Sequence, residues 1–306
     1  DTAAALAAIE AQSPARPILV DVTATDTGPV LERALARGWD VVLANKVPLA
    51  GTQAAADRLR EAACRAGRHL LHEATVGAGL PVIDTLRKLT ESGDHVLSIE
   101  GCPSGTLGYL FGELGRGTAF SAALRRAMEA GYTEPDPRAD LSGVDVARKA
   151  LILARIIGFR GDLADVRVES LVPEALRTVP LEEFLARAPE LDDPWAERVR
   201  SAREEGRVLR YRARVTPRSI DVGLVAVELA DPLGALTGTD NQFSFTTERY
   251  HAQPLVITGP GAGAAVTAAG VFNDLLRLAE LRGTPSFAQV VAPPLVVTPR
   301  PVEVGA

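Results

Sequence analysis

Residues 18–46 read ILVDVTATDTGPVLERALARGWDVVLANK. ILVDV (18–22) is a short β-branched run, PVLERALARG (29–38) has a helical apolar period and stops on a glycine, and DVVLANK (40–46) reads as the next buried strand. Strand, helix and strand at this spacing form a βαβ unit, whose crossover makes the two strands parallel. The rhythm continues outward: QAAADRLREAACRAG (53–67) is an amphipathic helix and HLLHEA (69–74) a third strand. This is the C-terminal part of a Rossmann-type sheet, because a complete one opens with a strand running into G-x-G-x-x-G and no such motif precedes Ile18. In open α/β sheets ligands sit beyond the carboxyl ends of the strands, where Thr23 follows the first run and Lys46 the second. Thr23 suits a turn or helix cap equally well.

Past Gly158 the pattern changes. Residues 179–206 read as helices with a proline-containing break. RVLRYRARV (207–215), SIDVGLVAVEL (219–229), NQFSFTTERY (241–250) and PLVITGP (254–260) then alternate or run apolar as strands of a mixed or antiparallel sheet. Tyr211, Phe243, Phe245 and Tyr250 belong to its core or to an interface. GPGAG (259–263) opens a last helix, 264–281, and residues 282–306 hold five prolines without a helical period, a tail that is mobile or draped on the body.

Composition narrows the function. The chain has 306 residues, 46% hydrophobic and 24% charged, with a net charge of −6, which argues against a nucleic-acid binder, since that would need a basic face. No apolar run approaches the ~18 residues of a membrane span. DTAAALAAIEAQ (1–12) has neither part of a signal peptide, so the expectation is a cytoplasmic protein whose Cys64 and Cys102 are reduced core thiols.

The chemistry-bearing stretch is GYTEPDPRADLSGVDVARK (131–149). It gathers Glu134, Asp136, Asp140 and Asp145 ahead of Lys149. Ser142 with Asp145 three residues on has capping-box spacing, and the following VARKALILARIIG leaves almost no solvated stripe, so a core helix begins there. Asp145 and Lys149 are four apart on one face. Of 33 basic residues only Lys46, Lys88 and Lys149 are lysines. An ammonium in a dry site can release its proton near neutral pH and a guanidinium cannot, which marks Lys149 as a proton donor rather than one more soluble cation. The plainer alternative is a capped helix with a snorkelling lysine and a solvated acidic loop.

Together with EATVGAGLP (73–81) and SGTLGY (104–109), this stretch resembles homoserine dehydrogenases, most closely the dehydrogenase half of bifunctional aspartokinase–homoserine dehydrogenases, over about residues 18–281. The resemblance implies NADP- or NAD-dependent interconversion of L-aspartate 4-semialdehyde and L-homoserine. It implies Lys149, Asp145 and Lys46 as catalytic residues, with Glu134, Asp140, Gly105 and Thr106 at the substrate. Thr23, Lys46 and Gly261 would meet the cofactor. A sodium ion would be held by the Glu73 side chain and the carbonyls of Val76, Ala78 and Leu80. Residues 1–80, completed by 261–281, would be the remainder of the dinucleotide domain, and 81–260 a substrate and dimerisation domain pairing two copies. By the same comparison roughly 70–80 residues of glycine-rich sequence are absent before Ile18. Two rivals stand beside this: a non-catalytic partner module, and a dehydrogenase for another small semialdehyde.

Overall fold

The computed structural model describes residues 7–9, 11–12 and 15–283. Strands β1 (Ile18–Asp21), β2 (Asp40–Leu43) and β3 (Leu70–Leu71) form a parallel sheet in that order, with Val20 opposite Val42 and Val42 opposite Leu71. Helices α1 (Gly28–Ala36) and α3 (Gln53–Ala66) are the crossovers and pack on each other. Thr52 starts α3 by accepting from the Ala55 amide at 3.2 Å, and Gly67, at φ 60°, ends it in the left-handed conformation. A short helix that the strand-like run 40–46 conceals, α2 (Val47–Ala50), follows β2. The third strand is also shorter than 69–74. The Glu73 amide donates to Asp274 at 2.8 Å, and the chain leaves the sheet in a 3-10 turn over Glu73–Thr75.

Helix α4 (Val82–Glu91) leads to a second, six-stranded sheet in the order β5-β7-β6-β4-β8-β9. Its strands are β4 (Val96–Cys102), β5 (Arg167–Val168), β6 (Arg207–Val215), β7 (Ile220–Glu228), β8 (Asp240–Thr247) and β9 (Leu255–Pro260). Only β5 and β7 pair in parallel, so the sheet is mixed. Helices α5 (Gly105–Gly115), α6 (Phe120–Glu129), α7 (Arg138–Leu141), α8 (Val144–Ile156), α9 (Leu181–Arg187) and α10 (Asp192–Glu204) accompany it, with α5, α8 and α10 packed against β6. Trp195 of α10 stacks on Phe120 and meets Phe111 edge-on, both at 5.7 Å between ring centres. Phe243, Phe245 and Tyr211 are buried, whereas Tyr250 is 42% exposed, because β8 ends at Thr247.

The last helix, α11 (Ala264–Leu281), returns to the first sheet, and Leu278 packs with Val42 and Leu71. Arg282 then pairs with the buried Asp40 at the start of β2. The proline-rich tail from 284 onward lies outside the described residues. Cys102 is buried in the second sheet, but Cys64 is exposed: the buried stripe of α3 is Ala56, Leu59 and Ala63, and the next residue turns about 100° away from it. No helix among the described residues is long and apolar enough to cross a membrane.

Candidate active site

Helix α8 enters the cleft between the two sheets in a way that the Ser142 capping box does not describe. Its N-cap is Gly143, at φ 75°, while Ser142 closes α7 and donates its hydroxyl to Ala139 O at 2.7 Å. A Cβ at position 143 would overlap the Tyr211 hydroxyl, which donates to Glu169 O at 2.6 Å, so the glycine is needed for both its conformation and its size. Asp145 is thereby released from capping and faces the cleft. The rest of α8 is buried from Val146 to Arg155 apart from Arg148 and Lys149, as its unbroken apolar sequence requires.

Lys149 has a side chain 13% exposed, and its Nζ donates to Pro103 O at 2.8 Å and lies 2.9 Å from Asp145 Oδ2. From the other side Lys46 Nζ lies 3.3 Å from Asp145 Oδ1. One carboxylate therefore bridges two ammonium groups. Burial works against the charge on Asp145, but the two lysines outweigh it and push its pKa down to about 2. The trio carries a net positive charge and remains ionised at Asp145 through the neutral range. Arg155, whose side chain is fully enclosed, donates to Leu49 O at 2.6 Å and to Gly51 O and Gly161 O at 2.8 Å, fastening α2 and its Lys46 against α8.

A second acid lies alongside. Asp140 accepts from the Glu134 amide at 2.9 Å and lies 3.0 Å from the Thr106 hydroxyl, which also donates to Tyr132 O at 2.5 Å. Burial raises the pKa of Asp140, and the charges of Glu134 and Asp145 add to it, against the pull of the two hydrogen bonds. Ser104 caps α5 through the Leu107 amide at 3.3 Å, and a Cβ on Gly105 would sit 3.0 Å from Thr239 O, so the glycine lets this helix start press against the strand-β8 loop. Asp136, the remaining carboxylate of the stretch, is tied to Arg138 at 2.6 Å and belongs to the scaffold.

At the edge of the first sheet, Asp21 organises the positions named for a cofactor. It accepts from the Thr27 hydroxyl at 2.5 Å, the Thr23 amide at 2.9 Å and the Asn45 side chain at 3.0 Å; burial opposes its charge, yet these bonds hold its pKa below the usual range. Asn45 in turn accepts from the Val47 amide at 3.0 Å, which starts α2 directly after Lys46. Thr23 is exposed above β1. Gly261 is buried, with its carbonyl 3.4 Å from the Asn241 amide nitrogen, and Asn241 leaves no room there for a side chain.

The loop after β3 is shaped by Gly77 at φ 81° and Ala78 at φ 54°. The buried Glu73 accepts from the Ile83 and Asp84 amides, each at 2.7 Å, and so caps α4. Burial pushes its pKa up to about 7 and that of its neighbour Asp274 up to about 6. Among the described residues no group of three or more His, Cys, Asp or Glu side chains could hold a metal; the donors here would be one carboxylate and the carbonyls of Val76, Ala78 and Leu80.

Of the residues named from sequence, the fold brings Lys46, Asp145 and Lys149 together, sets Asp140 against Thr106 and the Glu134 amide, and places Thr23 beside Asn45; sequence reasoning missed the residues that hold them, Asp21, Asn45, the Pro103 carbonyl and Tyr211. An acid inside the apolar run ILVDV was the available signal for the first. A backbone carbonyl leaves no sequence signal at all.

The family model described as homoserine dehydrogenase matches residues 81–276. The chain is 47% identical over 273 residues to the bifunctional aspartokinase/homoserine dehydrogenase 2 of Zea mays, covering 88% of this chain and 30% of that one. It is 42% identical over 278 residues to a homoserine dehydrogenase of Schizosaccharomyces pombe, covering 88% and 74% respectively. A solved hyperthermophilic archaeal homoserine dehydrogenase in complex with NADPH shares the fold, with a TM-score of 0.67 at 24% identity over 88% of this chain and 72% of that one. The chain thus spans about a third of the length of the bifunctional relatives, within their dehydrogenase part, and it belongs to the homoserine dehydrogenase family.

Proposed function

We propose that this chain carries the substrate-reducing site of a homoserine dehydrogenase, interconverting L-aspartate 4-semialdehyde and L-homoserine. The observation that carries the proposal is Asp145 bridging Lys149 and Lys46, with the raised carboxyl of Asp140 nearby. Reduction of the aldehyde places charge on its oxygen, and a positively charged trio is complementary to that oxygen as it becomes an alkoxide. Lys149 gives the oxygen its proton in reduction and takes it back in oxidation, while Asp145 keeps the ammonium aimed into the cleft. Lys46 polarises the same oxygen. Glu134 and Asp140 hold the substrate ammonium, and Thr106, braced on Tyr132 O, fixes Asp140.

A nicotinamide cofactor, NADP or NAD, supplies or accepts the hydride when bound. Thr23 and Lys46 at the carboxyl ends of β1 and β2, together with Gly261, would meet its nicotinamide end, and the exposure of Thr23 beyond β1 supports this placement. The solved NADPH-bound relative is a further support. A buried carboxylate with carbonyls turned by a left-handed loop likewise fits a hard cation such as sodium on Glu73, Val76, Ala78 and Leu80. A second copy would pair through the outer face of the second sheet, where Leu97 and Val256 are exposed.

The deciding experiment is nicotinamide-linked oxidation of L-homoserine beside 4-hydroxybutyrate, its des-amino analogue. A homoserine enzyme should prefer the amino compound by at least about a hundredfold in kcat/KM, because the acids are left unpaired otherwise. Equal rates would move the function to another small semialdehyde. Cofactor binding without any turnover would favour the non-catalytic module.

A further inference from the structure

Beside β3, at the outer edge of the first sheet, α3, α4 and α11 enclose a cavity of about 570 Å³. None of the residues placed in the catalytic cleft or as ligands in the 73–80 loop lines it. Its floor is apolar, formed by Leu49, Leu70, Ile83 and Ile156, and its wall carries four guanidinium groups, Arg60, Arg68, Arg87 and Arg277, against the single carboxylate of Glu91. That wall is unusual in a chain of net charge −6.

Two of the four arginines have carboxylate partners: Arg277 reaches Asp84 at 2.6 Å and Arg60 lies 3.9 Å from Asp57. Among the described residues Arg68 and Arg87 form no ion pair. Two guanidinium groups without a carboxylate partner on one cavity wall leave positive charge that an anion supplied from outside the chain can pair with. Guanidinium forks match carboxylate and phosphate oxygens in pairs, and the volume falls in the range of small-molecule sites.

We propose that this cavity is a binding site for a small organic anion, its phosphate or carboxylate group held by Arg68 and Arg87 and its apolar body lying on Leu70, Ile83 and Ile156. The site lies outside the catalytic cleft but is built on α4, the helix that Glu73 caps, so an anion seated there borders the loop behind the cleft.

Calorimetric titration of the whole chain with pyrophosphate and with citrate, against sodium chloride of matched ionic strength, tests this. Saturable binding of either probe supports the site, and the better of the two tells phosphate from carboxylate chemistry. Affinity should fall at least about tenfold in the double variant Arg68→Gln, Arg87→Gln. Arg87→Lys, which keeps the charge and loses the fork, should weaken binding severalfold and covers the case in which the double variant fails to fold. Heat no greater than that from chloride overturns the proposal. So does binding that survives both variants, or that NADPH displaces, since the probe would then occupy the nucleotide site.

Discussion

Replacing Lys149 by methionine removes the ammonium and keeps a side chain of similar length in the core. The structural losses can be counted. The bond to Pro103 O at 2.8 Å contributes about 1 kcal/mol net. The ion pair with Asp145, whose side chain is 46% exposed, contributes less than about 1 kcal/mol after solvent screening, and Asp145 keeps Lys46 as a partner. The fold should therefore lose about 1–2 kcal/mol, a fall in Tm of roughly 2–3 °C for a chain of this length. Losing a general acid costs far more in rate, about 10²–10⁴-fold, or roughly 2.7–5.5 kcal/mol of barrier. Steady-state oxidation of homoserine by nicotinamide absorbance, together with calorimetric melting and cofactor titration, separates the two effects. The companion Lys149→Ala variant leaves space for a small primary amine, and ethylamine should restore part of its turnover. Should kcat in Lys149→Met stay within about tenfold of the parent with the cofactor bound as before, proton transfer belongs to another group.

Other perturbations address the rest of the cleft. The Asp140 carboxyl has its pKa raised, chiefly by burial, so it loses its charge, and its hold on the substrate ammonium, as pH falls through that raised value; kcat/KM for homoserine should show this acid limb, and Asp140→Asn should abolish the limb and lower kcat/KM about tenfold or more at neutral pH. Gly143→Ala combines a left-handed backbone with an overlap on Tyr211 and should destabilise by about 3 kcal/mol or more in urea, while Tyr211→Phe, losing only the bond to Glu169 O, should cost about 1 kcal/mol. Asn45→Ala removes a donor to the ionised, buried Asp21 and should cost about 1.5–3 kcal/mol and raise KM for the cofactor, as a melting scan and a cofactor titration would show. Sodium chloride should raise the Tm of the parent above its value in a bulkier cation's chloride, and Glu73→Gln should remove that difference.

How far the sequence could be read depended on the range of the forces involved. Periodicity located the parallel strands, the mixed sheet and the core helix of Lys149, because burial of a stripe or a face is written locally. It overran at β3, where the pull of Asp274 on the Glu73 amide comes from a helix 200 residues away. It also misplaced the start of α8: serine and aspartate at capping distance satisfied a local rule, but Tyr211, arriving from β6, demanded a glycine cap. In the site, charged residues were legible because lysine is so rare in this chain. The frame around them was not, since Asp21 and Asn45 look like ordinary strand and loop residues until the two strands are set side by side. Which carboxylate of the acidic stretch serves the scaffold was equally hidden: Asp136 differs from Asp140 only in having Arg138 folded back onto it.

The enclosed Arg155 rivets the segment bearing Lys46 to the helix bearing Asp145 and Lys149. The two amines, contributed by separate lobes, consequently travel as one rigid piece, and opening the mouth to admit a substrate must be the work of the surrounding loops. A breathing motion that spread the lobes would have to tear the Leu49 and Gly51 carbonyls from a guanidinium first, so the spacing of the two amines is set before any reactant arrives.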